Sequence, residues 1–151
     1  MRKKDREITD RNAINGIIKR CKVCRIALCE HEQPYVLPLN FGYDGQYLYF
    51  HSANAGKKIE ILRKNSRIGF EFDILNEIVT DENPCEWGAK YESVVGTGIA
   101  EFIESQQEKA KSLECILSQY GSVSNEFRDA SLYFVTVIRV TIVTISGKEK
   151  K

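Results

Sequence analysis

This sequence predicts a mainly β domain: six antiparallel strands rolled into a small closed or split β-barrel, with helices flanking it. Three observations carry the prediction. Alternating apolar and polar runs recur at close spacing with turn residues between them, and no strand–helix–strand alternation of the parallel kind appears. Gly96 and Gly98 stand two apart inside one long run, which suggests a bend or a close backbone approach, as at a barrel corner. The 151 residues suit one domain with a real core, spanning 1–151 with solvated ends at 1–9 and 147–151. A barrel of this size is filled by its own side chains, so a ligand is expected outside it, in a groove shared between subunits.

The elements follow in chain order. The opening MRKKDREITD is a charged arm with no apolar h-region, so it is not a signal peptide. Asp10 is placed to cap a short helix to about Arg20, with Ile14, Ile17, Ile18 and Cys21 on one stripe. Val23 to Glu30 reads as a first strand, and Glu30 to Gln33 as a polar turn. Tyr35 to Tyr43 reads as a second strand with an aromatic face opposite a small one. Pro38 lies on the small face and places the strand at an edge or a bulge, because it cannot donate to a ladder. Asp44-Gly45 between aromatic runs is a type I′ hairpin signal, since both central residues need positive φ.

Gln46 to His51 alternates as a third strand, and a helix is expected from near Asn54, with Ala55, Ile59 and Leu62 on its buried stripe. Arg67 to Asp73 alternates as a fourth strand, and 76–89 reads as an irregular loop holding the one tryptophan, Trp87. Lys90 to Ile103 is a long fifth strand. Ser105-x-x-Glu108 is a capping box opening a helix whose stripe is Ala110, Leu113, Leu117 and Tyr120, ended by Gly121. A polar connection from Gly121 to Ala130 precedes a last strand, Leu132 to Ile145. The first half of that strand is apolar on both faces, which suggests that a second subunit covers one side.

Composition excludes several function classes. Hydrophobic residues are 42% and charged residues 28%, with net charge +1, so nothing global argues for nucleic acid. No apolar run approaches the ~20 residues of a membrane span, and a cytoplasmic protein is expected. The five cysteines include Cys21-x-x-Cys24, but the two histidines, His31 and His51, lie at no zinc-ligand spacing. This pair closes a helix and opens a strand, the reverse of a redox motif, so structural free thiols are expected and no metal site. No Walker loop, dinucleotide fingerprint or nucleophile elbow appears, so any hard chemistry would belong to a bound cofactor.

The stretch with most to say is NFGYDGQYLYFHSANAGKKIEIL. Lys57 and Lys58 fall in the first turn of a helix, where the dipole disfavours cations. Two readings stay open. Both lysines point into water, or an anion sits at the helix N-terminus among free amides, His51, Ser52 and the two ammonium groups.

Taken together, VCRIAL, QPYVLPLNFGYD, LYFHSANAGKKIEILRKN, PCEWGAKYESVVGTGIAEF and VTIVTISGKE, with the charged start, cover nearly the whole chain in one order. In that order the chain resembles the pyridoxamine 5′-phosphate oxidase-like, FMN-binding split-barrel superfamily, and within it the nitroimidazole-resistance (Nim-type) branch. It departs in the short polar connection at Ser122 to Ala130. The resemblance implies an FMN-binding homodimer with flavin sites at the subunit interface. It implies that Lys57 and Lys58 hold the phosphate beside Ser52 and His51, and that Pro38, Leu39, Asn40 and Phe41 run along the isoalloxazine ring. Ser93, with Tyr91, would reach the phosphate or ribityl end. The activity implied is a flavin-dependent oxidoreductase passing electrons from NAD(P)H to a small electrophilic acceptor such as a nitro-aromatic. The alternative is a flavin- or haem-binding protein for storage or sensing. A true pyridoxamine-phosphate oxidase ranks below both, because the chain lacks an arginine-rich C-terminal site.

Overall fold

The two ends of the sheet are joined by two residues of chain, and that constraint rolls it up. In the computed structural model, which describes residues 4–122 and 132–151, eight strands form one antiparallel sheet: seven follow the order β3-β2-β6-β7-β8-β5-β4, and β1 pairs with β8 off this path. They are β1 (Glu7–Ile8), β2 (Cys24–Glu30), β3 (Gln33–Leu39), β4 (Gly42–Tyr43), β5 (Tyr47–Ser52), β6 (Arg67–Val79), β7 (Gly88–Ile103) and β8 (Thr136–Lys150). β3 and β4 are opposite ends of this order, yet only Asn40 and Phe41 separate them in sequence. The edges must therefore approach each other, which makes a split barrel rather than a flat sheet. Phe41, with 0% exposure, sits in the seam and meets Phe72 edge-on at 4.8 Å.

Six of the eight strands answer to the six expected. The count rises to eight through two-residue strands. Glu7–Ile8 pairs with Lys148 and Gly147 of β8, and Ile8 is buried. The expected strand from Tyr35 to Tyr43 breaks at Asn40 and Phe41, and its last two residues pair with β5 on the other edge. Residues 147–150, expected as a solvated tail, are the last rungs of β8, where Lys150 lies opposite Tyr91. The β6–β7 ladder likewise runs into the expected loop at 76–89, with Val79 opposite Gly88. The expected connection from Gly121 to Ala130 lies, beyond Ser122, outside the described residues.

Among the described residues, three α-helices pack on the barrel. In α1 (Arg11–Arg20), Asp10 caps as expected, its carboxylate accepting from the amides of Asn12 and Ala13. Ile14, Ile17 and Ile18 of α1 are buried. The second helix, α2 (Lys57–Lys64), starts later than expected, with Gly56 rather than Asn54 at its N-cap. In α3 (Gln106–Gln119), the buried residues are Ser112 and Ile116 instead of the expected stripe. The Asp44-Gly45 turn also differs from type I′. Gly45 has φ 99°, but Asp44 is not among the positive-φ residues, and its carboxylate accepts from the amides of Gln46 and Tyr47. At Gly96 a Cβ would lie 2.3 Å from the Thr144 carbonyl oxygen and closer still to the Phe70 ring, so the expected close backbone approach is present.

Candidate functional site

The loop from Ser52 to Gly56 presents α2 to solvent. Ser52 ends β5 opposite Thr136 and is half-buried, while His51, opposite Val137, points its side chain outward. Asn54 fastens the loop from outside. Its Nδ2 donates to the Tyr133 carbonyl at 3.0 Å, and its Oδ1 accepts from the Thr136 hydroxyl at 2.8 Å. That use of the side chain explains why Asn54 is not the helix cap. Gly56 takes φ 122°, which favours glycine, and among the described residues no side chain caps α2. The carbonyl of Gly56 accepts from Ile59 and Glu60, so the leading amides, those of Lys57 and Lys58, face outward at the positive end of the helix dipole.

The two lysines differ in surroundings. The Lys57 ammonium stands 5.0 Å from the centroid of the Tyr35 ring, a cation–π contact that fixes its direction. Lys58 is half-buried, and burial alone holds its ammonium below its usual pKa. Among the described residues no carboxylate offsets that burial in the way Glu30 pairs with Lys64 further along the helix. An incoming phosphate would supply the missing charge, so the residues present fit the phosphate end of a nucleotide cofactor.

The other expected site residues fall into two places. Pro38 is exposed on edge strand β3, as its missing N–H requires; Leu39 is half-buried, and Asn40 is exposed at the crossing. Phe41 cannot lay its side chain on a ligand, because it is wholly in the core, and its amide already donates to the Tyr120 hydroxyl at 3.0 Å. Tyr91 and Ser93 lie on β7 opposite Lys150 and Lys148. Hydrogen bonding by the Lys148 ammonium, with Arg6 nearby, holds the Tyr91 phenol below its ordinary pKa. Tyr35 pairs with Leu28 of β2, while Ser93 pairs with Asp73 of β6. The β2–β6 register puts these rows five residues apart, about 17 Å along the strands. Within one chain, then, Tyr91 and Ser93 do not meet Lys57 and Lys58.

Between these places lies an open sheet face. Val36, Ala27, Gly69, Thr97 and Thr144 form one row across five strands, on β3, β2, β6, β7 and β8. Small residues in the middle leave a shallow, mostly apolar hollow of about 720 Å³, rimmed by Ile99 and Val143. Val143 is 62% exposed, unusual for a central-strand valine. Beside it Arg25 bridges Glu71 and Asp73, with 3.2 Å to Glu71. Burial first, and then the Asp73 charge, pushes the Glu71 carboxyl above its usual range.

Sequence reasoning did not find Tyr35, Asn54 or the Arg25–Glu71–Asp73 cluster as parts of this region. Tyr35 was legible only as a strand residue. Asn54 carried the signal of a cap, and its true partners are about 80 residues away.

The comparisons with known proteins accord with this geometry. The family model for pyridoxamine 5′-phosphate oxidase matches residues 10–149. The chain belongs to this family. A crystal structure of a candidate 5-nitroimidazole antibiotic resistance protein from Bacteroides thetaiotaomicron is 32% identical, with a TM-score of 0.85 over 94% of this chain and 85% of that one. An FAD- and haem-binding protein of Mycobacterium smegmatis shares the fold at TM-score 0.85 but is 18% identical, covering 97% of this chain and 74% of the other. An uncharacterized protein of Rhizobium meliloti is 28% identical over 64 residues, which is 42% of each chain. This pyridoxamine 5′-phosphate oxidase-family chain thus shares its whole fold with its structural relatives, and under half the length of that curated one. Among its described residues no helix is long and apolar enough to cross a membrane, and no group of three or more histidine, cysteine or acidic residues is placed to hold a metal ion.

Proposed function

We propose that this chain binds FMN as a homodimer and works as an oxidoreductase. Electrons from NAD(P)H would pass to a small electrophilic acceptor, of which a nitro-aromatic is the type to try first. The observation that carries the reading is the α2 N-terminus: uncapped amides, a ring-braced Lys57, and a half-buried Lys58 with no acid partner among the described residues. Lys57, Lys58 and the Ser52 hydroxyl hold the phosphate, with His51 at the rim. Exposed Pro38 and Asn40 flank the isoalloxazine on the edge strand. The flavin supplies hydride and single-electron transfer, and the protein supplies position and charge. The likeness to the Bacteroides resistance protein supports the choice of acceptor.

The open face supports the second subunit. Tyr91 and Ser93 of one copy serve the phosphate or ribityl end at the other copy's α2, which reconciles their separation within one chain. The Mycobacterium relative's description as an FAD- and haem-binding protein favours one second reading, a binding protein without turnover. Both histidines here are exposed, so either would have to hold a haem at the surface.

The test is absorbance from ~300 to 600 nm after FMN is added and the protein desalted, for the parent and for Lys57→Ala/Lys58→Ala. Each charge-assisted contact contributes about 1.5–3 kcal/mol, so the double variant should bind at least tenfold more weakly and lose the flavin bands. NAD(P)H should bleach the parent's bands, and a nitro-aromatic should restore them. A parent that retains no flavin defeats the proposal, and a Soret band from co-purified haem would move the reading to the second.

A further inference from the structure

The β6–β7 ladder outruns the sheet that supports it. β8 leaves the ladder at Lys150, opposite Tyr91, and β2 pairs with β6 only between Gly69 and Glu71. Beyond Tyr91, Glu77, Ile78 and Val79 pair with Lys90, Ala89 and Gly88 as a two-stranded arm, and among the described residues no third strand flanks it. Two strands alone are marginal in water. The arm nonetheless shows apolar surface, since Leu75, Ile78 and Trp87 are each more than half exposed. Ala89, Tyr91, Ser93, Val95 and Thr97 alternate onto one face of β7, with Ile78 opposite Ala89 and Leu75 opposite Tyr91. The open face of the barrel therefore runs on up the arm. At the tip the Trp87 Nε1 donates to the Asp81 carbonyl at 2.8 Å, and Asn83 caps the short turn at Pro84–Glu86. The indole thus has its one polar group satisfied within the arm and its ring held ready.

Charge points to what the arm meets. Between Asn76 and Trp87 there are four acids, Glu77, Asp81, Glu82 and Glu86, and no lysine or arginine. Glu77 pairs with Lys90 at 2.8 Å, whereas the other three form no ion pair with a described residue. The face of opposite sign is α2, whose eight residues include Lys57, Lys58, Arg63 and Lys64 against Glu60 alone. Within one chain the arm runs away from α2, because Ser93 already lies five residues from the Tyr35 row and the arm lies beyond it. We propose that the arm of each copy is a clasp on the α2 of a second copy, with Trp87 as its anchor and Asp81, Glu82 and Glu86 against the cations of that helix. The inference rests on the proposed dimer, in which Tyr91 reaches the other copy's α2, and it adds a contact beyond the open face. Trp87 lies four residues past Tyr91, about 13 Å of strand, and α2 is about 12 Å long, so an arm based at Lys57 has the reach to span the helix. Two-fold symmetry makes the contact twice.

The experiment is analytical ultracentrifugation of the full chain over a dilution series, with and without FMN. The variants are Trp87→Ala, Glu82→Lys/Glu86→Lys, Arg63→Glu/Lys64→Glu, and the four charge reversals together. Lys57 and Lys58 stay in place because the proposed flavin site uses them. Loss of a tryptophan anchor should raise the dimer dissociation constant about thirtyfold. Each pair of reversals should raise it about tenfold at low salt, and the four together should return it to within about threefold of the parent's. That restored dimer also shows that the reversed side chains leave the fold intact. A Trp87→Ala dimer as tight as the parent's overturns the inference and leaves the open-face dimer standing. So do two weakened charge pairs whose combination stays weak, since the arm and α2 then do not meet. A parent that stays monomeric overturns the inference together with the proposed dimer, and flavin retained by that monomer would leave the cofactor reading in place.

Discussion

At the scale of single residues, four of the five thiols divide by environment. Cys21 is 5% exposed, and its Sγ lies 3.8 Å from the Asp73 carbonyl. Burial pushes its pKa to about 11, with the Asp73 and Glu71 charges adding to the effect. Cys24, at 0% exposure, is pushed higher still by burial. Cys115 rises to about 11, mostly through burial and then through the Asp44 charge. At pH 8 a thiol with a pKa of 11 is thiolate about one part in a thousand, far too little for redox work. Cys85 is exposed at the β6–β7 tip. Brief iodoacetamide treatment of the folded protein at pH 8 should therefore mark Cys85 first in peptide mass spectra. Cys21, Cys24 and Cys115 should react only in urea. Early labelling of Cys21 or Cys24, or a disulfide between them, would restore the redox reading of the C-x-x-C pair.

Between elements, the last turn of α3 fastens two distant segments at once. The Gln119 Nε2 lies 3.0–3.2 Å from the carbonyls of Ile18, Lys19 and Cys21, where α1 ends with acceptors to spare. The Tyr120 hydroxyl donates to the Lys22 carbonyl and accepts from the Phe41 amide at the seam of the barrel. Gln119→Leu strands part-buried carbonyls, so urea unfolding should show a loss of about 1–3 kcal/mol. The flavin spectrum of the loaded protein should not change, because the contact lies away from α2. An unchanged unfolding midpoint would mean that water caps α1 equally well.

The same scale shows what the sequence made legible. Long alternation marked six strands, and the Asp10 and Ser105 caps were local enough to read. The two extra strands have two residues each, too short for any period to show. The α3 stripe misled because non-local contact decides it. Gly42 lets the helix backbone come so close that a Cβ there would lie 2.6 Å from the Ile116 amide nitrogen. Ser112 can be buried because its hydroxyl donates to the Glu108 carbonyl. At the site, the helix start carrying Lys57 and Lys58 was legible in the sequence to within a few residues. Strand alternation put Phe41 on the aromatic face and the family resemblance put it along the flavin, whereas the crossing between sheet edges puts its ring in the core.

For the whole molecule, the question is what covers the open face. Val36, Val95, Ile99 and Val143 are each more than 40% exposed around a hollow floored by Ala27, Gly69 and Thr97. A contiguous apolar patch of this kind is the surface that the proposed second copy would cover. At the edge of this face Arg25 pairs with Glu71 and Asp73, and Lys148 and Lys150 continue along β8, so the proposed contact would have an apolar centre and a charged rim. The same contact would bring Ser93 and Tyr91 of one copy to the other's α2, linking flavin retention to dimerisation. Val143→Lys puts a cation into the middle of that contact without touching the barrel core. Light scattering on a sizing column should give the parent twice the monomer mass and the variant the monomer mass. If the partner completes the phosphate site, the variant should also lose bound flavin on desalting while its circular dichroism matches the parent's. A variant that is monomeric but keeps its flavin would mean that each chain holds the cofactor alone, which would remove Tyr91 and Ser93 from the site.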